Sequence, residues 1–198
     1  SHRVPYFCDG VQSFGHLSQN LHKASLISLS AHKLGGPRGV GCLIVRQPLI
    51  PSPMILGGGQ EFGSRSGTEN LPGIAGFALA AELSCRELEA ECFRLEGLRT
   101  LLEQELRRIC PGLEIAGEHA PRSGILSCRF PGISAEEMVV RLDAAGICAS
   151  PGAACAARSS KPSHVLLSMG YSPAEASEFL RLSPGRNTTE EDIRRTAA

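Results

Sequence analysis

The 198-residue sequence predicts an α/β architecture built in successive parts, and three observations carry that expectation. Three short apolar runs near the start have the length and turn-bounded character of strands in one sheet. A long stretch with leucines at helical spacing follows, and the remainder alternates strand-like and helix-like segments as a compact α+β unit does.

The opening runs lie at residues 4–8 (VPYFC), 25–30 (SLISLS) and 40–45 (VGCLIV), joined by short connections carrying Gly, Pro and His. A strand so close to the first residue needs neighbours to bury it. The first third of the chain offers too few elements to cover a sheet on both faces, which predicts a fragment whose upstream half is missing. Residues 46–70 form an irregular loop containing GGGQEFGSRSGTEN, and loops of that length in compact domains tend to be functional. Pro72 suits the first turn of a helix. Ile74, Phe77, Ala78, Ala81 and Leu83 then recur at helical spacing, and Leu88, Leu95, Leu98, Leu101, Leu102 and Leu106 line one face over residues 86–110. The pattern ends before Pro111-Gly112 and predicts one long or broken helix leading into a second domain. Beyond it the spacing predicts a strand at 125–129, a helix at 135–145, a strand at 147–150 and a Gly/Ala/Ser loop at 151–160. A short helix at 163–169, a helix at 173–178, a strand at 179–183 and a last helix follow. That helix starts at Thr188 or Thr189, where TTEED supplies a capping hydroxyl and first-turn acids. The expected division is 1–75, 76–112 and 113–198.

Acidic and basic residues balance at 20 each, and no basic run or basic helix face occurs. Nucleic acid and an anionic membrane surface are therefore not expected partners, and a small-molecule substrate is. No apolar stretch is long enough to span a bilayer, and SHRVPYFCDG has no signal-peptide core, so a cytoplasmic location is expected. The eight cysteines form no CxxC pair, and no histidine stands at metal-ligand spacing, so no metal site is expected. Seven of the eight read as buried or incidental thiols in a reducing compartment.

The chemistry concentrates in SLSAHKLGGPRGVGCLIV, residues 28–45. Only three lysines stand among the 20 basic residues, and Lys33 is placed just past a strand-like run. An amine there suits an imine with an aldehyde cofactor, although a lone lysine after a strand is more commonly a surface turn residue. Ser30 and His32 beside it can donate to a phosphate, which pyridoxal phosphate carries along with its aldehyde. Asp9 ends the VPYFC run, at the carboxyl end of a strand, where open α/β sheets place ligands. A carboxylate there can keep a pyridine nitrogen protonated and make the ring an electron sink, or it can be the Asp of an Asp-Gly turn. Gln12 could reach a ring hydroxyl. Cys155 lies among small residues in ASPGAACAARSSKPS, a composition for an exposed loop whose thiol is reachable. Arg181 in LRLS reads either as an exposed edge-strand residue or as a guanidinium able to grip a carboxylate with two parallel hydrogen bonds. Arg65 is a further cationic candidate.

Five segments in order, CDGVQSFG, SLSAHKLGGPRGVGCLIVR, GGGQEFGSRSGTEN, SPGAACAA and LRLSPGRNTTEEDI, closely resemble the class V, fold-type I pyridoxal phosphate family of cysteine desulfurases and selenocysteine lyases. The resemblance runs over nearly the whole chain. It implies the C-terminal part of a fold-type I large domain followed by a small α+β domain, with pyridoxal 5'-phosphate as cofactor. Lys33 is then the Schiff-base lysine and proton shuttle. Asp9 pairs with the pyridine nitrogen, Gln12 with the phenolic oxygen, and Ser30 and His32 with phosphate. Thr68 matches a threonine that reaches the phosphate of the neighbouring subunit, which implies a homodimer. Cys155 is implied to accept sulfur as a persulfide while L-cysteine becomes L-alanine, and Arg181 to hold the substrate carboxylate. A sulfur-acceptor protein is an expected partner whose identity the sequence does not reveal. Selenocysteine lyase is the rival activity, and a truncated non-catalytic homologue or dimerisation partner the rival of another kind. Phe62 stands where family members usually carry an arginine. SPGAAC replaces the commoner SSGSAC, a variant that leans toward selenocysteine lyases. The family's cofactor-stacking histidine and Gly/Thr phosphate loop precede the aspartate by many residues, whereas eight residues precede Asp9 here.

Overall fold

A computed structural model describes residues 4–18, 21–118, 124–152 and 162–198. The chain falls into two compact units, residues 1–91 and 92–198, which divide within the expected connecting helical stretch 76–112.

The first unit is built on a three-stranded sheet in the order β1-β2-β3, with β1 at Phe7–Asp9, β2 at Leu26–Ser30 and β3 at Gly41–Val45. β1 runs parallel to β2, and β3 antiparallel to it. Strand β2 reads LISLS and alternates: Ile27 and Leu29 are buried while Ser28 and Ser30 are half-buried. Because strand side chains alternate between faces, one face of β2 enters the core and the other carries hydroxyls. The core face meets Ala24, Ala31, Leu34, Phe77 and Ala80, with Phe14 and Ala81 against its margin. Phe77, Ala80 and Ala81 come from α1, Leu71–Ile109, an uninterrupted helix of 39 residues whose first part belongs to this unit and whose remainder belongs to the second. Val4 and Tyr6 before β1, Phe7 of β1, Leu43 and Ile44 of β3, and Ile50, Met54 and Leu56 in the following loop are exposed apolar residues.

The second unit centres on an antiparallel sheet in the order β4-β5-β7-β6: β4 at Glu114–Ile115, β5 at Leu126–Arg129, β7 at Phe179–Leu182 and β6 at Ser150–Pro151. Leu98, Leu102 and Leu106 of α1 pack with Leu126, Cys128, Leu180, Leu182 and Ile193. Helices α2 (Ala135–Ala144), α3 (His164–Ser168), α4 (Pro173–Ala176) and α5 (Glu190–Thr196) complete it. Thr189 caps α5 and exchanges hydrogen bonds with Asp192, a capping box in the place the TTEED motif predicts. The expected strand at 147–150 is replaced: Gly146 N donates to Asp143 O and Ile147 N to Leu142 O, closing the end of α2, and pairing with β7 starts only at Ser150. Beside β5, Arg129 donates to Glu178 Oε2 at 2.7 Å and Glu114 Oε1 at 2.8 Å, and Gly132 N donates to Glu178 Oε1 at 2.8 Å. Among the described residues no helix is long and apolar enough to cross a membrane.

Candidate active site

Parallel pairing of β1 and β2 puts both carboxyl ends at one end of the sheet, where ligands of α/β sheets bind. Asp9 is the last residue of β1, and Ser30 the last of β2. The chain then tightens into a short 3-10 turn, Ala31–Leu34, instead of an open loop. Ala31 and Leu34 are buried and anchor that turn in the core, which leaves His32 and Lys33 exposed on its outer side. Gly35 closes the turn at φ 81, a left-handed conformation that a side chain would disfavour. Gly41, opposite Ser30 on β3, supplies room: a Cβ there would lie 2.7 Å from Leu29 O.

Asp9 is held by two donors on one oxygen. Val11 N and Ser28 Oγ each donate to its Oδ1 at 3.1 Å. Ser30 Oγ and His32 Nδ1 lie 2.8 Å apart. With the proton on Nδ1, His32 donates to Ser30 and frees the serine hydroxyl to donate outward; in the other tautomer Ser30 donates and His32 Nε2–H points outward. Each arrangement offers one outward donor for an anion. His16 fixes the backbone of the lysine turn, since its Nε2–H donates to the Lys33 carbonyl at 2.8 Å. That bond requires the proton on Nε2. Gln12 is exposed in the turn that follows Asp9, where Phe14 N donates to Gly10 O. Four predicted residues, Asp9, Ser30, His32 and Lys33, thus gather at one end of one sheet, with Gln12 in the adjoining turn. His16 and Ser28 were not singled out from sequence. Ser28 had a signal, being the hydroxyl two residues before Ser30 on the same strand face, whereas His16 had none.

Thr68 is exposed beyond a short 3-10 turn at Glu61–Gly63, and among the described residues no hydrogen bond ties it to the lysine cluster. Glu61 and Phe62 both adopt positive φ, 50 and 55, and the Phe62 side chain is fully exposed.

In the second unit, Arg181 sits on β7, which is paired on both sides. Its register partners are Ser127 of β5 and Ser150 of β6. The edge-strand reading of this arginine is therefore corrected: the two-residue strand β6 covers that side, too short for periodicity to reveal. Leu180 and Leu182 face the α1 core, so Arg181 shares the opposite face with Phe179. Its Nε is buried and has no hydrogen-bond partner among the described residues. An unpaired buried donor costs roughly 1–3 kcal/mol, more when charged, so that nitrogen lacks an acceptor among the described residues. Cys155, five residues after Ser150, lies outside the described residues, as does Lys161.

The seven described cysteines are free. Burial, with Cys110 nearby, pushes the Cys128 thiol up to about 12, which removes it as a nucleophile. Partial desolvation raises the Cys42 thiol, although the residue is exposed at the surface, as are Cys85 and Cys148. A cavity of about 350 Å³ in the second unit is lined by Cys148, Leu182, Asp192 and Arg195 among others, and holds none of the predicted site residues.

Comparison with known proteins places this geometry. The chain is 38% identical over 195 residues to "Cysteine desulfurase IscS 1" of Archaeoglobus fulgidus, covering 98% of this chain and 51% of that protein. It is 36% identical to "Putative cysteine desulfurase IscS 1" of Bacillus subtilis, covering 99% and 53%. Among solved structures it matches a NifS-like protein at TM-score 0.86 and 34% identity, covering 98% of this chain and 50% of that one. A NifS-like protein from Rickettsia africae gives TM-score 0.88 at 32% identity, covering 98% and 51%. The chain spans about half the length of the curated relatives it matches, and its architecture is part of the fold-type I class. With Asp9 and the lysine turn following the carboxyl ends of the neighbouring parallel strands β1 and β2, and with the model "Aminotransferase class-V" matching residues 2–196, the chain belongs to the class-V aminotransferase family.

Proposed function

We propose that this chain carries the lysine, ring-nitrogen and carboxylate-binding parts of a pyridoxal phosphate-dependent cysteine desulfurase acting as a homodimer. The observation that carries the reading is the placement of Asp9 and the Lys33 turn at the same end of two parallel strands. The residues present fit the cofactor: Asp9 has Oδ2 without a hydrogen bond among the described residues, and Ser30 with His32 leaves a donor for phosphate. The buried, unpartnered Nε of Arg181 fits a substrate α-carboxylate.

Pyridoxal 5'-phosphate, when bound, supplies an electron sink for the pair left as the substrate Cα loses its proton. Asp9 would hold the ring nitrogen protonated, Gln12 the ring hydroxyl, and Ser30 and His32 the phosphate, with Thr68 serving the phosphate of the partner subunit. The Lys33 amine moves the proton at Cα, on a turn whose backbone is fixed by His16. Arg181 orients the substrate through its carboxylate. The Cys155 thiolate attacks the substrate sulfur, so that L-cysteine and the Cys155 thiol become L-alanine and a Cys155 persulfide. A sulfur-acceptor protein in the cytoplasm then takes the outer sulfur.

The test is direct. The 198-residue chain is mixed with pyridoxal phosphate, its absorbance spectrum is recorded beside that of Lys33→Ala, and alanine release and the mass of the Cys155 peptide are followed after L-cysteine or L-selenocysteine is added. The expected result is a Lys33-dependent band, alanine from L-cysteine and a gain of one sulfur on Cys155. Absence of the band refutes the reading for this chain, and alanine release from L-selenocysteine alone replaces desulfurase with selenocysteine lyase.

A further inference from the structure

We infer that Ser28 is a positioning residue for Asp9: its hydroxyl clamps one carboxylate oxygen so that the other is presented to the ring nitrogen of a pyridine cofactor. The inference rests on the cofactor reading given under Proposed function.

Asp9 and Ser28 are direct register partners on adjacent parallel strands, and Ser28 Oγ donates to Asp9 Oδ1 at 3.1 Å. The terminal torsion of a carboxylate is broad and two-fold, so a free carboxylate presents either oxygen. Two donors on Oδ1 break that equivalence, and among the described residues Oδ2 accepts nothing. The donors differ in kind. Val11 N belongs to the turn that Asp9 itself begins and moves with it. Ser28 belongs to the neighbouring strand, whose other face is fixed in the core by Ile27 and Leu29, and so refers the carboxylate to the sheet that carries the Lys33 turn. A β-branched apolar side chain would fit a strand interior better than serine does. The hydroxyl is what that position adds.

The test titrates the full chain with pyridoxal phosphate and with its 1-deaza analogue, which has carbon in place of the ring nitrogen. Binding is read by equilibrium dialysis and by the Lys33-dependent absorbance. Ser28→Ala is expected to weaken pyridoxal phosphate binding about tenfold, the loss of one hydrogen bond to a charged group. Ser28→Thr, which keeps the hydroxyl, is expected to stay within about twofold of wild type. The analogue is expected to bind wild type and Ser28→Ala equally, and the Ser28→Ala penalty to vanish in an Asp9→Asn background. Ser28→Cys, similar in size and a weak donor, carries the same expectation where alanine disturbs the fold. Unchanged cofactor affinity in Ser28→Ala overturns the inference. So does an equal loss for cofactor and analogue, which marks a packing role only, and so does a penalty that persists in Asp9→Asn. Failure of wild type to give the Lys33-dependent band is seen before any Ser28 variant is compared, and sinks the cofactor reading together with this one.

Discussion

Replacing Gly41 with alanine tests how the lysine turn is held. The new Cβ would lie 2.7 Å from Leu29 O, a backbone atom that no rotamer change can move. A carbon meets a carbonyl oxygen comfortably at about 3.3 Å, so β3 must withdraw from β2 by roughly 0.6 Å at this point. The neighbouring bond from Ala31 N to Val40 O, now 3.1 Å, would then pass the range of a hydrogen bond. Overpacking of this kind costs about 1–3 kcal/mol, which is on the order of a 5- to 150-fold change in an opening equilibrium. Hydrogen exchange read by mass spectrometry reports it locally, without requiring the two units to unfold together. Peptides spanning residues 26–45 are expected to lose protection by that factor, and peptides spanning 124–150 to keep theirs. Unchanged exchange across 26–45 would refute the claim that this glycine is there for room, and with it the account of how β3 braces the turn.

Two further outcomes follow from the second unit. Gly97 lies inside α1 with ordinary helical φ and open space where a Cβ would stand, so Gly97→Ala is expected to raise the denaturation midpoint, with a gain of about 0.5–1 kcal/mol; a lowered midpoint would contradict it. Glu178 is held below the usual carboxylate range by its hydrogen bond from Arg129, then by that from Gly132 N, while Glu175 and Asp192 are lowered chiefly by backbone hydrogen bonds from Ser172 and Thr189. A carboxyl depressed in the folded state contributes stability in full above its unfolded value and loses it as pH falls through the folded one. Glu178→Gln is therefore expected to be less stable than wild type near neutrality, with the gap closing below the ordinary value of 4.5. Melting curves from about pH 7 to about pH 2 measure this, and a gap constant over that range would count against it.

What could be read from sequence was what period and residue type express. The alternation of Ile27 and Leu29 with Ser28 and Ser30 announced a strand with one polar face, and Lys33 beyond it announced the chemistry. The leucine face of α1 was visible too, and no proline interrupts it, which is why one helix runs where a break was also possible. Pairing was not visible. Residues 147–150 look like a strand because they are apolar and small, but the amides of Gly146 and Ile147 close α2 instead. Arg181 looked like an edge residue because β6, which flanks it, has only two residues. Ser28 and His16 escaped notice for a related reason: each acts through a bond to a segment 17 or 19 residues away, and nothing in a linear pattern expresses that until strands and turns are aligned.

The outer strands of the first sheet have a colloidal consequence. β1 and β3 each hydrogen-bond only to β2 among the described residues, and they carry exposed Phe7, Leu43 and Ile44. Unpaired edges of this kind recruit other strands. The usual defence is like-charge repulsion between molecules, yet the formal charge is zero at pH 7. A solubility minimum is therefore expected near neutrality, around the sequence isoelectric point of about 7.0, and buffers well to either side are expected to restore the repulsion that keeps molecules from pairing edge to edge.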